Sequence, residues 1–223
     1  MLDLFFIIDL IPDILKGLMI TLELSIISFI IGFVIAAIFM PARIFGGTLF
    51  ASIVRSYIEV FRGTPLLVQL LLIYFGLPSL GIKFDPMTAS ILAFGLNSAA
   101  YQSEILRSSL KSIPESQFLS GESLGMSSLQ IYRYIILPQA VRVAVPALVN
   151  ELVTLIKESS IASIIGVVEL TRRGEYLVAT TFRALEVYIA VAIIYFVICF
   201  LVSQSTRLLE RKFRIPGYER GGG

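Results

Sequence analysis

The sequence predicts an all-α membrane protein, a bundle of five transmembrane helices with a helical elbow on the cytoplasmic side. Three observations carry that prediction. Of 223 residues, 57% are hydrophobic and only 15% charged, with a mean hydropathy of +0.88; an ordinary soluble domain is about 45–50% apolar and about 25% charged. The charges leave four runs free of Asp, Glu, Lys and Arg, at 24–42, 63–82, 86–103 and 187–206, each close to the roughly 20 residues that carry a helix across a bilayer. The alternation that a transmembrane barrel requires is absent, and an open sheet cannot cross lipid with its edges unsatisfied.

Composition also narrows the function. A net charge of +2 gives no nucleic-acid footprint. The one cysteine, Cys199, sits inside an apolar run and makes neither a disulfide framework nor a metal cage. The chain has no histidine, which removes Ser-His-Asp and Cys-His nucleophiles, histidine proton shuttles and histidine metal ligands. Function must then come from a path, a gate or a partner.

The first residues, MLDLFFIIDLIPDILKG, lack a basic n-region, so a cleaved signal peptide is not expected. Asp9, Asp13 and Lys16 fall at i, i+4 and i+7, one polar stripe on an apolar helix. That pattern predicts an interfacial helix leading into span one, about 14–42. Span two is expected over about 57–78. Span three, about 86–108, is weakly apolar and carries Gly95, Asn97 and Gln102 among small residues. Such a helix inserts comfortably only where neighbours cover its polar side, and its small residues let them approach; span three should be central.

The connection over about 112–138 is too polar to re-enter lipid and too patterned for disorder. Pro114 suits a helix start, and Gly125 offers a left-handed stop after Leu124. Ser127 followed by Gln130 has capping-box spacing. Two short helices, 114–124 and 128–137, are expected, with Pro138 interrupting the chain before span four. Span four, about 139–168, is apolar except for Glu151, Lys157 and Glu158, which must face protein or water. Span five, about 184–208, is apolar nearly all round and suited to face lipid. Residues 1–223 thus read as a single transmembrane domain.

Orientation follows from the flanking bases. One side holds Arg43, Arg55, Arg62, Arg107, Lys111, Arg133, Arg142, Arg207, Arg211, Lys212, Arg214 and Arg220; the other holds Lys16, Lys83, Arg172, Arg173 and Arg183. Twelve against five places the elbow and the C-terminus in the cytoplasm, and five spans place the N-terminus outside.

Gly125, nine residues, Ile135, one residue, Leu137 and Pro138 match the G-x9-I-x-L-P half of the signature loop of ABC importer permeases. The segments LKGLMITLELSIIS (15–28), EVFRGTPLLVQLLLIYFGLP (59–78), NSAAYQSEILRSSLKSIP (97–114) and LPQAVRVAVPALVNELVTLIKESSIASIIG (137–166) resemble the polar amino acid branch of that family, in order, over most of residues 15–166. The resemblance implies the type I ABC importer permease fold in a prokaryotic cytoplasmic (inner) membrane. It implies a second permease chain (a homodimer is expected), two cytoplasmic ATPase subunits that hold ATP and Mg, an external amino acid-binding protein and an amino acid substrate. The permease itself carries no P-loop, binds no cofactor and is no enzyme. The elbow residues Ser120, Gly121, Glu122, Leu124, Gly125 and Ser127 are then expected to couple to the ATPase. The signature usually begins Glu-Ala-Ala, where this chain has Leu119, Ser120 and Gly121, with an acid at Glu122 instead.

Polar residues deep in a span are costly and are candidates for the substrate path. On span three, Asn97, Tyr101 and Glu104 share a helical face at i, i+4 and i+7; on span four, Glu151 shares one with Thr154 and Glu158. Asn97 reads either as a tie between helices or as a substrate contact, and Glu104 and Glu158 as substrate contacts or partners of a base. Glu151 is central, with no base at i±3 or i±4. The excess of intramembrane acid over base leans toward a cationic amino acid, arginine or lysine. A self-sufficient secondary transporter or channel for a small polar solute is the rival reading, and five spans without an inverted repeat speak against it. A membrane enzyme is remote without histidine or an activated nucleophile.

Overall fold

The computed structural model describes residues 4–44 and 47–212, with side chains described over 5–40 and 47–205. The described residues form helices and short turns and no strand. Helix α1 (Leu4–Ile44) is 41 residues long, about 61 Å at 1.5 Å per residue, roughly twice the hydrocarbon core. The expected boundary between an interfacial helix and span one is therefore missing. Ile7, Leu10 and Ile14 are buried against Leu170, Val187 and Val191, and this packing holds the first turns in line with the rest. Asp13 and Lys16 form an exposed ion pair.

Span two is also corrected, because it is not one helix. Helix α2 (Thr48–Gly63) ends at Thr64, whose extended backbone (φ −120°, ψ 144°) precedes Pro65. The proline ring disfavours helical geometry in the residue before it and supplies no N–H. Helix α3 (Leu66–Leu71) then runs through a π-helical turn (Leu72–Gly76) and a 3-10 turn (Leu77–Leu80), and the two limbs are bent by 104°.

Helix α4 (Pro86–Lys111) begins under Asp85, whose Oδ1 accepts from the backbone N–H groups of Met87 (3.0 Å) and Thr88 (3.1 Å). The Thr88 side chain foremost, and then these backbone bonds, favour the carboxylate and hold Asp85 below the usual range. Among the described residues, Phe5–Met40, Ser128–Ile165 and Ala184–Ser205 are helical stretches long and apolar enough to cross a membrane, and the bent α2–α3 pair adds a fourth. Helix α4, the expected third of five spans, has the length but not the apolar composition. It is central: α1, α2 and the following long helix all pack on it, and Ser90, Asn97, Ser98, Gln102 and Ser103 are buried. A β-carbon at Gly95 would lie 3.0 Å from Ile31, so the absent side chain lets α1 and α4 close.

The elbow comprises α5 (Glu115–Ser123) and α6 (Ser128–Ile131). Between them Gly125 is left-handed at φ +75°. Its N–H donates to the Glu122 carbonyl (2.9 Å), and that of Met126 to the Gly121 carbonyl (3.1 Å), the two bonds of a Schellman stop. Ser127 and Gln130 form the capping box. The expected interruption at Pro138 does not occur. The chain passes from α6 through a π-helical turn (Tyr132–Ile136) straight into α7 (Leu137–Glu158). The wider turn absorbs the missing N–H of Pro138 and the clash of its ring with the carbonyl four residues back. Ile113, Ile131, Ile136 and Ala140 form the elbow's own core.

A 3-10 turn (Ser159–Ile165) and left-handed Gly166 lead to α8 (Leu170–Thr181) and α9 (Ala184–Lys212). Glu169, fully buried, accepts from the N–H groups of Thr171 (2.9 Å) and Arg172 (2.8 Å) and from the Tyr195 hydroxyl (2.9 Å). Burial outweighs these donors and holds its carboxyl above the usual range. Helix α9 leaves Ile193, Phe196, Phe200 and Leu201 exposed. Of the bases used for orientation, Arg214 and Arg220 lie outside the described residues, and the side chains of Arg43, Arg207, Arg211 and Lys212 outside the described side chains.

Candidate functional site

Two regions hold the residues singled out from the sequence. In the first, α4 stands between α1, the α2–α3 break and α7. Its polar residues divide into two neighbouring stripes. Asn97, 5% exposed, donates from Nδ2 to the Phe61 carbonyl (3.2 Å) and to Gln69 Oε1 (3.0 Å). Gln69 in turn donates to the carbonyls of Phe61 (2.9 Å) and Thr64 (3.1 Å). Asn97 thus ties α4 to the carbonyls that the Thr64–Pro65 break sets free. Tyr101, one turn on, is exposed, with the Arg62 guanidinium 5.4 Å from its ring centroid. Glu104 pairs with Arg107, whose Nε lies 2.9 Å from both carboxylate oxygens.

The second stripe meets α7. The Ser98 hydroxyl donates to Glu151 Oε1 at 2.7 Å. Gln102 Nε2 donates to Ser98 Oγ (2.9 Å) and to the Phe29 carbonyl of α1 (3.0 Å). Glu151 is half-buried, and Ser98 supplies its one hydrogen bond among the described residues. No base forms an ion pair with it there; its electrostatic neighbour is another acid, Glu158. Lys157 is exposed, and the Thr154 hydroxyl is spent on the Asn150 carbonyl at 3.1 Å. The structure therefore brings Glu151 to Ser98 and Gln102, not to Asn97, Tyr101 or Glu104. Ser98 was not singled out, and Gln102 was named only as a polar residue of span three; their i, i+4 spacing on that weakly apolar span was the available signal.

A groove of about 910 Å³ lies elsewhere, between α2, the end of α4 and the elbow. Arg55, Glu59, Arg62, Glu104, Arg107 and Lys111 line it. It reaches Glu104 from the elbow side and does not reach Glu151.

The second region is the elbow. Leu119 and Leu124 are 54% and 79% exposed, Ser120, Glu122, Gly125 and Ser127 are exposed, and Gly121 is buried. The Ser120 hydroxyl donates to the Ser116 carbonyl (2.8 Å). Leu119 and Leu124 are thus apolar side chains turned outward on a short polar helix pair.

Comparison with known proteins supports this architecture. Residues 39–215 match the family model described as binding-protein-dependent transport system inner membrane component. The glutamine transport system permease protein GlnP of Escherichia coli (strain K12) is 40% identical over 207 residues, 92% of this chain and 94% of the relative. The arginine transport system permease protein ArtQ of Bacillus subtilis (strain 168) is also 40% identical, over 205 residues, 92% of this chain and 94% of that one. Among solved structures, that of an amino acid ABC transporter with histidines superposes with a TM-score of 0.91 at 38% identity, covering 95% of this chain and 99% of its own.

Proposed function

The chain belongs to the binding-protein-dependent transport system inner membrane component family and is an amino acid ABC transporter permease; from that premise we propose that it forms, with a second copy of itself, the pathway of an ATP-driven importer for a cationic amino acid, arginine or lysine. Glu151 carries the reading. It is a half-buried carboxylate in the bundle with no ion-pair partner among the described residues, and its electrostatic neighbour, Glu158, is another acid. A half-buried carboxylate without a base is costly, and an ammonium or guanidinium offsets that cost through charge-assisted hydrogen bonds. Overall likeness does not choose the substrate, since relatives named for glutamine and for arginine are equally identical. Asn97, Tyr101, Glu104 and Thr154 remain candidates for the same path.

The family implies an ATPase and a substrate-binding protein as partners. In this reading two ATPase subunits, holding ATP and Mg, seat on the elbows at the cytoplasmic face of the inner membrane. The N-terminus lies outside and the C-terminus inside, as the charge count favours. Closure of the ATPases moves the elbows, and the bundles rock as rigid bodies to expose the path to one side at a time. The test is uptake into proteoliposomes holding the permease and its co-expressed ATPase, with the substrate-binding protein supplied on the outer side and labelled arginine challenged by lysine, glutamine and glutamate. ATP-dependent uptake, inhibited by lysine and not by glutamate, is expected. Uptake without ATP overturns the importer, and stronger inhibition by glutamine than by lysine overturns the cationic substrate.

A further inference from the structure

We propose that Ser98 and Gln102 are positioning residues for Glu151, fixing which of its oxygens is tied into the bundle and which is left to a ligand. The inference rests on the reading of Glu151 as the contact for a cationic group.

The direction of the relay follows from what each atom can do. The Phe29 carbonyl only accepts, so the Gln102 atom 3.0 Å from it must be the amide nitrogen. With the amide reversed, two oxygens would face each other there. The same nitrogen lies 2.9 Å from Ser98 Oγ and therefore donates to it as well. The Ser98 hydroxyl has one proton, and with Gln102 donating to its oxygen that proton goes to Glu151 Oε1, 2.7 Å away. Oε1 is thereby committed, and among the described residues no hydrogen bond reaches Oε2.

The surroundings enforce this arrangement. Ser98 and Gln102 are fully buried. A β-carbon at Gly32 would lie 2.8 Å from Gln102 Nε2, so the bare backbone of α1 makes room for the amide. Gln102 Oε1 is buried with no partner among the described residues. An unmet acceptor destabilises the fold, yet the amide keeps the orientation that serves Phe29 and Ser98. The relay thus spans α1, α4 and α7 and ties one oxygen of the carboxylate to α4. With Oε1 tied, Oε2 is the acceptor presented to a ligand, and a charge-assisted bond from a guanidinium to it is stronger than one from a neutral amide side chain.

The experiment uses the full-length permease with its co-expressed ATPase in lipid nanodiscs. It reads labelled L-arginine binding with L-glutamine as competitor, and the infrared carboxyl band of Glu151, assigned by difference from Glu151→Gln. Ser98→Ala should shift that band and lower the preference for arginine over glutamine about threefold to tenfold, the range expected for one modest hydrogen bond. Ser98→Cys, a similar shape with a weak donor, should fall between, and it carries the test if Ser98→Ala does not assemble. A band that stays in place overturns the relay. A band that moves with no change in preference overturns the positioning role. If Glu151→Gln lowers arginine affinity and Ser98→Ala does not, the reading of Glu151 stands and this inference falls. If Glu151→Gln leaves every affinity unchanged, the reading of Glu151 falls first.

Discussion

Gly121 and Ile131 meet across the elbow with no room for a methyl group: a β-carbon on Gly121 would lie 2.7 Å from Cγ1 of Ile131 and 3.1 Å from its Cδ1. Both residues are buried, Ile131 fully. The position that usually holds the second alanine of the family signature is here closed by a branched side chain from α6. Gly121→Ala should therefore overpack the elbow and destabilise it by about 1–3 kcal/mol. Ile131→Ala alone should cost roughly 2–5 kcal/mol by leaving a cavity. The double variant should be less destabilised than the two costs added, because the methyl of one fills space vacated by the other. Thermal unfolding of the four proteins checks this, and simple additivity would mean that the two residues are not in contact.

Gly125 presents the opposite case. Nothing lies within 4 Å of the β-carbon it lacks, so its role is carried by its left-handed backbone alone. Gly125→Val forces a β-branched residue into that region, where even an ordinary L-residue costs about 1–2 kcal/mol. Asn tolerates the same region better than other L-residues, because its short polar side chain can hydrogen-bond locally. The Val variant should still insert but lose co-purifying ATPase and coupled uptake, and Gly125→Asn should retain both. Equal loss in both variants would point to the missing side chain, not to the turn.

What was legible in the sequence depended on local chemistry. The elbow turn, the Ser127–Gln130 cap and the helix start after Pro114 each rest on a few adjacent residues, and all appear. The central place of α4 was readable from its poor apolar content. Counting charges could not see the 104° bend, because the charge-free run 63–82 begins at the break and the limb before it carries Arg55, Glu59 and Arg62. Periodicity could not choose between the Asn97 and Ser98 stripes, since adjacent residues lie about 100° apart on a helix that is buried on several sides. Continuity through Pro138 and along α1 was decided by packing with distant segments, Ile113 in one case and Leu170 and Val187 in the other.

Orientation gives a prediction independent of the site. Ser128 opens α6 and Ser79 lies in the turn before α4; both are exposed. In a Cys199→Ser background, a cysteine replacing Ser128 should react with an impermeant maleimide only from the cytoplasm. One replacing Ser79 should react only from outside. The reverse pattern would overturn the charge count and, with it, the seat proposed for the ATPase.

The last prediction concerns pH. Glu169 is buried at the start of α8 with its carboxyl held above the usual range by burial. A group whose folded pKa is raised stabilises the fold fully below its unfolded value, about 4.3 for glutamate, and that contribution is lost as pH rises through the folded value. Melting temperature should therefore decline over that window, and Glu169→Gln, which cannot ionise, should flatten the decline. The Tyr195 hydroxyl opposes burial by donating to the carboxylate at 2.9 Å. Tyr195→Phe removes that donor, which favours the ionised form, so it should raise the folded pKa further and cost more at high pH than at low. A loss of about 1–3 kcal/mol is expected above the window. The same variant in a Glu169→Gln background should show a deficit that no longer varies with pH. A Tyr195→Phe deficit equal at every pH in the parent would show that the hydroxyl serves Thr171 and Ser159, its other neighbours at 3.2 and 3.5 Å, and not the carboxylate.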